Sequence, residues 1–233
     1  MSRGPVAAPR EAPAGASLPQ TGSGTRIRLT AIIAATALLA LGAVAVWVKR
    51  RRDDPSACPY AQRVFLDLPR PFMRRQSLHH MLDLAPGERA LEVGSGTGYY
   101  SLEVARQLAP DGRLDVLDLQ QPMLDELMRR AAMAGTANVV ATQGDARDLP
   151  FPAATFDAAY LVATLGEIPD RDRALRELHR VLKSGGRLVV GEGQPDPHML
   201  AIDDLRGRAE AIGFVYDGHE GTPFGYFARF RSG

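Results

Sequence analysis

The chain has 233 residues, a length that predicts one domain of ordinary size together with additional segments. Its 28 lysines and arginines almost balance its 27 aspartates and glutamates, so no overall positive charge favours nucleic acid as a partner. The single cysteine, Cys58, excludes an internal disulfide and a cysteine-rich metal site. We therefore predict a domain facing a reducing compartment, no metal site, and no nucleic-acid partner.

The N-terminal part of the chain has a different composition from the rest. Residues 1–24 are rich in Pro, Ala, Gly and Ser, with too few large apolar side chains to offset the entropy of ordering. This composition predicts a disordered tail over residues 1–28.

An uncharged apolar stretch follows at residues 29–48, LTAIIAATALLALGAVAVWV. As a helix it would be about 30 Å long, the thickness of a bilayer core. It predicts a transmembrane helix with Trp47 as an interfacial anchor and KRRR at 49–52 as a stop. A cleaved signal peptide is the alternative, because AVA at 43–45 resembles a cleavage site, but signal peptides do not usually end in a basic block.

The basic residues that flank this stretch predict its orientation. Three arginines precede it and five basic residues follow it, so the positive-inside rule places the following domain in the cytoplasm. The predicted localisation is the cell membrane, with a single span joined to the following domain by a basic linker at 49–57.

A further pattern precedes the apolar stretch. LPQTG at 18–22, with the apolar and basic residues behind it, resembles the cell-wall sorting signal that sortases recognise in Gram-positive bacteria. Such signals lie at the C-terminal end of exported proteins, whereas a whole domain follows this one. We therefore do not predict sortase processing.

Beyond the linker, the sequence predicts alternating helices and strands. A helix over roughly 71–84 precedes a first strand, RALEV (89–93), and apolar residues at helical spacing over 102–108 predict the first crossover. RLDVLDL (113–119) predicts the second strand. Pro122 lies near the start of the next predicted helix.

The second half continues the alternation. The helix over 170–186 is predicted to have Asp170 as its N-cap and Gly185 as its C-terminal glycine. The other predicted elements are strands at 138–142, 156–163 and 186–192, a helix at 199–212, and short strands at 213–217 and 224–230. Because strands separated by helices require crossovers, we predict an α/β fold, a doubly wound and mostly parallel sheet with an antiparallel C-terminal strand.

Three glycines follow the first predicted strand in LEVGSGTGYY (91–100). Ligands of such sheets bind at the carboxyl ends of the strands. The dinucleotide fingerprint requires glycine at position 99, which is Tyr99, and the G-K-[ST] of a phosphate loop is absent. A glycine-rich turn alone is weak evidence, since it is also typical of a tight strand-to-helix turn.

Acidic residues beside the strand ends strengthen the indication of a ligand site. Glu92 precedes the glycines, Asp118 ends the second strand where a carboxylate can accept from both ribose hydroxyls, and Asp145 follows the third strand. Together they indicate a carrier of adenosine without a pyrophosphate. The alternatives are that Asp118 caps the next helix and that Asp145 is a turn aspartate.

Four motifs in order resemble a known family. LEVGSGTG (91–98), VLDLQQPML (116–124), GDARDLPFPAATFDAAYLV (144–162) and ELHRVLKSGGRLVV (177–190) are similar to those of class I S-adenosylmethionine-dependent methyltransferases, especially the ubiquinone and menaquinone biosynthesis group. The resemblance covers about residues 75–193. It implies a Rossmann-like, seven-stranded methyltransferase domain over 58–233, with S-adenosylmethionine as the cofactor.

The same resemblance implies roles for individual residues. The backbone at Gly94, Gly96 and Gly98 would pass the methionine portion, with Glu92 fixing the loop or the ammonium group. Asp118 would bind the ribose. The remaining implied contacts to the adenine and the methyl group come from Leu119, Met123, Asp145, Ala146, and Leu161 to Glu167.

Methyl transfer from a sulfonium is an in-line displacement that depends mainly on alignment and a dry pocket. If the acceptor is a hydroxyl or an amine, a general base helps, and Glu167 and His198 are the candidates. Their alternative interpretations are a solvated loop carboxylate and a surface histidine. Many relatives carry histidine or asparagine near the position of Glu167, so the acceptor chemistry stays open.

The predicted anchor favours a small or lipidic acceptor near the membrane, such as an isoprenoid quinone precursor or a phospholipid amine. Residues 58–76 would form an amphipathic lid or, alternatively, a packing arm on the sheet edge. Two other functions stay open: a nicotinamide-dependent oxidoreductase, disfavoured by Tyr99, and a non-catalytic, membrane-tethered S-adenosylmethionine-binding protein. The sequence does not predict the oligomeric state.

Overall fold

The computed structural model describes residues 56–233, together with residues 32, 36, 38–40, 42–44 and 46. The chain divides into two compact units between Trp47 and Val48. The predicted tail (1–28) and all but the last two residues of the predicted linker (49–57) lie outside the described residues.

The N-terminal unit holds part of the predicted membrane span. Each described residue between 32 and 46 is helical, and the hydroxyl of Thr36 donates to the carbonyl of Ile32 one turn earlier (3.1 Å). Among the residues that the structure describes, no helix combines the length and apolar character needed to cross a membrane. The rest of the predicted span, 29–48, lies outside the described residues.

The second unit is built on one seven-stranded sheet in the order β3-β2-β1-β4-β5-β7-β6. Strands β1 to β5 pair in parallel, whereas β7 is antiparallel to both β5 and β6. The bounds are β1 Arg89–Val93, β2 Arg113–Asp118, β3 Val139–Gln143, β4 Phe156–Val162, β5 Leu182–Gly193, β6 Phe214–Thr222 and β7 Gly225–Ser232. This arrangement confirms the predicted mostly parallel sheet with its antiparallel C-terminal strand.

Five α-helices and two 3₁₀ helices are described in the second unit. The α-helices are α1 Arg75–Leu82, α2 Ser101–Leu108, α3 Gln121–Met133, α4 Arg171–Val181 and α5 Ile202–Ile212. The 3₁₀ helices are Tyr60–Asp67 and Leu165–Glu167.

Helices cover both faces of the sheet, so the central strands are buried on both sides and are apolar nearly throughout. Strand β1 directs Leu91 and Val93 to the face covered by α4 and α5, and Ala90 to the face covered by α1, α2 and α3. Because the strand order reverses between β1 and β4, a crevice is expected at the carboxyl ends of these strands.

Helix α4 begins as predicted but ends earlier. Its N-cap, Asp170, accepts a hydrogen bond from the amide of Arg173 (3.0 Å), which confirms the predicted cap. The predicted end at Gly185 is wrong, because the carbonyls of Arg180 and Val181 accept from the amides of residues 154 and 155, and Leu182 already pairs with β4. Gly185 therefore lies inside β5.

Candidate functional site

The glycine loop between β1 and α2 has a backbone that requires glycine. Gly94, Gly96 and Gly98 have φ angles of 74°, 50° and 88°, which L side chains rarely adopt. A Cβ on Gly94 would lie 2.3 Å from Cγ2 of Thr164, and one on Gly98 would lie 2.9 Å from Cγ of Leu127. The loop is therefore held close to the end of β4 on one side and to α3 on the other.

Asp118 ties this loop to the end of β2. Its Oδ2 accepts from the amide of Gly96 (2.9 Å) and its Oδ1 accepts from the amide of Gln120 (2.9 Å). Burial raises the pKa of Asp118, and the backbone amides of Gln120 and Gly96 partly oppose that shift. Since each carboxylate oxygen has two acceptor sites, the carboxylate keeps acceptor capacity for a ligand hydroxyl.

Glu92 lies beneath the loop, buried on the face that α2 covers. Its carboxylate accepts a hydrogen bond from the hydroxyl of Ser101 at the start of α2. Tyr160 of β4 lies opposite Glu92 of β1 in the sheet, but the tyrosine hydroxyl does not have the geometry of a hydrogen bond to the carboxylate. Burial above all, reinforced by the charge of Asp118, raises the pKa of Glu92 to about 7. Glu92 thus connects the end of β1 to the start of α2.

Asp145 lies beside this group but points to a different partner. The loop after β3 joins β2 through a hydrogen bond from the amide of Gly144 to the carbonyl of Asp118 (3.1 Å). The carboxylate of Asp145, however, pairs with the guanidinium of Arg147 (2.6 Å), and this hydrogen-bonded pair lowers its pKa. The neighbouring Ala146 is buried.

The apolar residues predicted to line the site lie in different environments. Leu119 is 56 % exposed at the carboxyl end of β2, whereas Met123 is buried in the first turn of α3. Leu161 is fully buried within β4 and packs in the core on the face of α4 and α5. That position belongs to the core of the fold, because β4 is covered on both faces at this point.

The two predicted bases lie near each other after β4 and β5. Glu167 ends the short 3₁₀ helix and accepts from the amide of Cys58 (3.2 Å). His198 is buried, and its amide donates to Asp196 (2.8 Å). A Cβ on Gly166 would lie 2.2 Å from the carbonyl oxygen of His198, so the two loops are in contact. His198 is therefore not the surface histidine of the alternative interpretation.

Sequence reasoning missed Glu192, the next-to-last residue of β5. Its side chain is fully buried, one carboxylate oxygen accepts from the amide of Leu200 (3.3 Å) and the other has no hydrogen-bond partner. Burial above all, together with the charge of Asp196, raises its pKa to about 8. The available signal was its position: Glu192 is an acidic residue near the carboxyl end of an apolar strand, as Glu92 and Asp118 are.

Residues 58–73, here named the strap, cross the carboxyl edge of the sheet. The carbonyl of Cys58 accepts from the side chain of Gln120 (2.8 Å), whose Oε1 accepts from the amide of Tyr60 (3.0 Å). Asp67 accepts from the hydroxyl of Thr97 in the glycine loop (3.1 Å) and pairs with Arg130 of α3 (2.7 Å). The strap thus covers the loops after β1, β2 and β4.

The far end of the strap reaches β5 and β7. The carbonyl of Met73 accepts from the hydroxyl of Tyr100 (2.9 Å), and the Met73 side chain packs where a Cβ on Gly193 would lie. Within the described residues, no group of three or more His, Cys, Asp or Glu side chains is arranged to hold a metal ion.

The glycine loop, the buried Glu92 and the amide-bound Asp118 therefore form one connected group at the switch point of the sheet. A family model described as "Methyltransferase domain" matches residues 90–186, which contain all three. Residues 90–186 form a methyltransferase domain of the class I S-adenosylmethionine-dependent type. S-adenosylmethionine is the cofactor of this domain.

Curated relatives match the same part of the chain. A demethylmenaquinone methyltransferase of Symbiobacterium thermophilum is 39 % identical over 108 residues, which is 46 % of this chain and 43 % of that protein. A ubiquinone/menaquinone biosynthesis C-methyltransferase, UbiE, of Pasteurella multocida is 38 % identical over 109 residues, or 46 % of this chain and 40 % of that protein. The chain thus matches less than half the length of these relatives.

Solved structures share the fold of the methyltransferase domain. An S-adenosylmethionine-dependent methyltransferase from Aquifex aeolicus matches with a TM-score of 0.70 at 19 % identity. The match covers 76 % of this chain and all of that one. This likeness shows the Rossmann-like fold. A second family model, "LPXTG cell wall anchor motif", matches residues 10–54, which contain the LPQTG sequence and the apolar stretch.

Proposed function

We propose that this protein transfers a methyl group from S-adenosylmethionine to a small or lipidic acceptor near the membrane. The observation that carries the proposal is the link between Asp118 and the amide of Gly96. It places a carboxylate that can still accept hydrogen bonds beside the glycine backbone. The carboxylate suits the hydroxyls of a ribose, and the glycine backbone leaves room for the methionine chain attached to it.

The site fits an adenosyl sulfonium better than a dinucleotide. Tyr99 occupies the position where the dinucleotide fingerprint has glycine, and its ring packs edge-on against Tyr100 (centroids 4.8 Å apart). Asp118 would hold the ribose hydroxyls, and the loop from Gly94 to Gly98 would border the methionine portion. Leu119, Met123 and the backbone of Ala146 would flank the adenine.

The structure limits what Asp145 and Leu161 would contribute to cofactor binding in this proposal. Because Arg147 occupies the carboxylate of Asp145, binding of the adenine amino group would require Asp145 to share or exchange that partner. The backbone that follows Leu161, from Ala163 to Glu167, would face the methyl group, while the Leu161 side chain supports it from the core.

When bound, the cofactor supplies a methyl group on a positively charged sulfur, which leaves as a neutral thioether. The acceptor's electron pair forms the new bond to the methyl carbon while the carbon–sulfur pair returns to sulfur. The positive charge leaves sulfur as the new bond forms, and the protein favours this step by aligning the acceptor and excluding water. Glu167 or His198 would remove the proton that the acceptor loses.

The names of the relatives favour carbon methylation of a quinone precursor as the acceptor chemistry. Attachment through residues 29–48 would keep the domain near a bilayer that dissolves such molecules and raise their local concentration. The match of the anchor model to residues 10–54 supports attachment of this part of the chain to a membrane or cell surface.

A non-catalytic S-adenosylmethionine-binding protein is the second candidate. The burial of His198 and the engagement of Glu167 by the strap favour it, since both candidate bases would have to become accessible to an acceptor.

Methyl transfer is tested with the full chain, radiolabelled S-adenosylmethionine and an extract of total membrane lipid. We expect label in a lipid fraction with the wild-type chain and much less label with Asp118→Ala at a subsaturating concentration of S-adenosylmethionine. Asp125→Ala, which removes an exposed carboxylate of α3, is the control and should retain transfer. Binding of the cofactor without labelled product would favour the non-catalytic candidate.

A further inference from the structure

The outer surface of the strap is apolar. In its 3₁₀ helix, every third residue faces the domain, and Tyr60, Arg63 and Leu66 are accordingly part-buried. Exposed apolar residues lie between them and directly after the helix. Val64, Phe65 and Leu68 are 65 %, 68 % and 53 % exposed.

Other exposed apolar side chains lie at the same edge of the sheet. Phe72 of the strap pairs with Phe224 of the β6–β7 turn, with centroids 6.0 Å apart, and both are at least half exposed. Leu119 is exposed at the end of β2. In residues 56–233, every exposed phenylalanine lies at this carboxyl edge. An apolar surface of this kind usually marks an interaction site.

The charge of the same segment is complementary to an anionic surface. Residues 58–75 carry four arginines and one aspartate, and that aspartate, Asp67, is paired with Arg130. Of the four, Arg74 and Arg75 are exposed next to the strap, and Arg75 also lies 3.9 Å from Glu103. Phenylalanines flanked by arginines are typical of elements that lie at the interface of a bilayer with anionic headgroups.

The 3₁₀ helix of the strap is unusually long. Runs of 3₁₀ helix longer than three or four residues are uncommon because their hydrogen bonds have poorer geometry, whereas this one has eight residues. Its inward contacts are to the site loops, and its outward apolar residues have no covering element among the described residues. A bilayer would bury these side chains.

We infer that the carboxyl edge of the sheet, with Val64, Phe65, Leu68, Phe72 and Phe224 outward, docks on the surface of an anionic lipid bilayer. An acceptor dissolved in the bilayer then reaches the site from the membrane side, across the strap. This inference rests on the membrane placement proposed above and adds the orientation of the domain. It does not depend on which acceptor is methylated.

The orientation is tested with a fluorophore at one position of the full chain reconstituted in vesicles. Cys58→Ser provides a background without cysteine, and Phe65→Cys then places a nitrobenzoxadiazole label on the outer face of the strap. Val215→Cys is the matched control, because Val215 is 60 % exposed near the start of β6, at the opposite end of the sheet. The vesicles contain phosphatidylcholine, with or without phosphatidylglycerol, and a lipid that carries a nitroxide quencher.

We expect the nitroxide to quench the label at position 65 several times more strongly than the label at 215, and more in vesicles that contain phosphatidylglycerol. Equal quenching at the two positions would overturn the inference, as would an emission change at position 65 that depends on protein concentration without vesicles. The second result would show that another copy of the chain covers the face. An unchanged difference without phosphatidylglycerol would overturn the preference for anionic lipid.

Failure of the inference is distinguishable from failure of the proposed function. Flotation of the same samples with vesicles tests membrane attachment, and calorimetry with S-adenosylhomocysteine tests the cofactor site. A chain that floats and binds S-adenosylhomocysteine, but shows equal quenching at both positions, contradicts the orientation alone.

Discussion

Asp118 joins the glycine loop to the end of β2 through its two carboxylate oxygens, and this makes it the most informative single residue of the site. In Asp118→Ala, the chain loses the proposed ribose acceptor and the loop loses its anchor. Hydrogen bonds to charged groups contribute about 1.5–3 kcal/mol, so we expect S-adenosylhomocysteine to bind at least about tenfold more weakly. Calorimetry measures this change, with Asp125→Ala as the control; an unchanged affinity would remove Asp118 from the ribose site.

Gly94 allows a comparison between backbone strain and steric clash. Gly94 and Gly135 both have positive φ angles, 74° and 66°, but only Gly94 has neighbours where a Cβ would lie. Alanine at Gly135 should cost the strain of the left-handed conformation, about 1–2 kcal/mol of the free energy of unfolding.

Gly94→Ala should cost about 1–3 kcal/mol more than Gly135→Ala, because the new methyl group overlaps Thr164. Urea unfolding of both variants gives the difference. Equal losses would mean that the loop moves away from Thr164 at little cost, and the close approach to β4 would then have no role in shaping the site.

The raised pKa of Glu192 predicts that the stability of the protein depends on pH. The folded protein holds a proton on this carboxyl up to a pKa of about 8, whereas the unfolded chain releases it near 4.5. Between these values the folded state binds more protons, so the free energy of unfolding falls as the pH rises, by at most about 1.4 kcal/mol per pH unit.

Glu192→Gln should therefore flatten the decline in stability between pH 5 and pH 8, measured by urea unfolding. The control is Glu126→Gln: hydrogen bonds from Arg129 and Arg130 hold the pKa of Glu126 at about 2, outside this window. A Glu192→Gln slope equal to that of the wild-type chain would show that Glu192 is ionised in the folded protein throughout the range.

The residues whose positions were predicted well are those whose environment follows from their place on a strand. Asp118 lies at the end of β2, and Glu92 lies within β1 below the glycines, as the sequence indicates. The pairing of Asp145 with Arg147 depends on the rotamers of two neighbouring side chains, which no spacing rule specifies. Glu192 was missed because one acidic residue in an apolar run is equally typical of an exposed strand end.

At the scale of elements, the strap is the part of the structure whose contacts reach the most loops of the site. Its bond from Asp67 to Arg130 is partly exposed, and such pairs contribute about 0.2–1 kcal/mol. If the strap must lift for the cofactor to leave, Asp67→Ala and Arg130→Ala should each raise the dissociation rate of S-adenosylhomocysteine by about 1.5- to 5-fold. Stopped-flow displacement measures these rates.

The double variant should show little further increase, since both changes break the same contact. Arg129→Ala is the matched control, because the side-chain hydrogen bonds of Arg129 go to Glu126 and Met133 of its own helix. Rates that add independently in the double variant, or a similar effect of Arg129→Ala, would contradict a latch between Asp67 and Arg130.

The accuracy of the element predictions follows the strength of each periodic signal. β1 is predicted to the residue and β2 to within one, because apolar runs bounded by turns mark buried strands clearly. Helix α1 begins at Arg75, after Pro71, and not at residue 71 as predicted. The strap was left between a lid and a packing arm, because a period of three residues with prolines at both ends resembles neither a helix nor a strand.

At the scale of the whole molecule, the fold was predictable from the alternation of apolar strands and helices, and the family from four motifs that occur in order. The attachment of the N-terminal part was not settled in the same way: LPQTG and the apolar stretch each have more than one interpretation, and most of residues 29–48 lie outside the described residues. The proposed function depends on the cofactor site alone, and the membrane placement adds the choice of acceptor.

The most direct test of the central claim is calorimetric titration of the full chain with S-adenosylhomocysteine and, separately, with NADH. We predict saturable binding of one S-adenosylhomocysteine per chain, weakened by Asp118→Ala, and no binding of NADH. Binding of NADH in place of S-adenosylhomocysteine, or binding of neither, would contradict the assignment of this edge of the sheet to an adenosyl sulfonium.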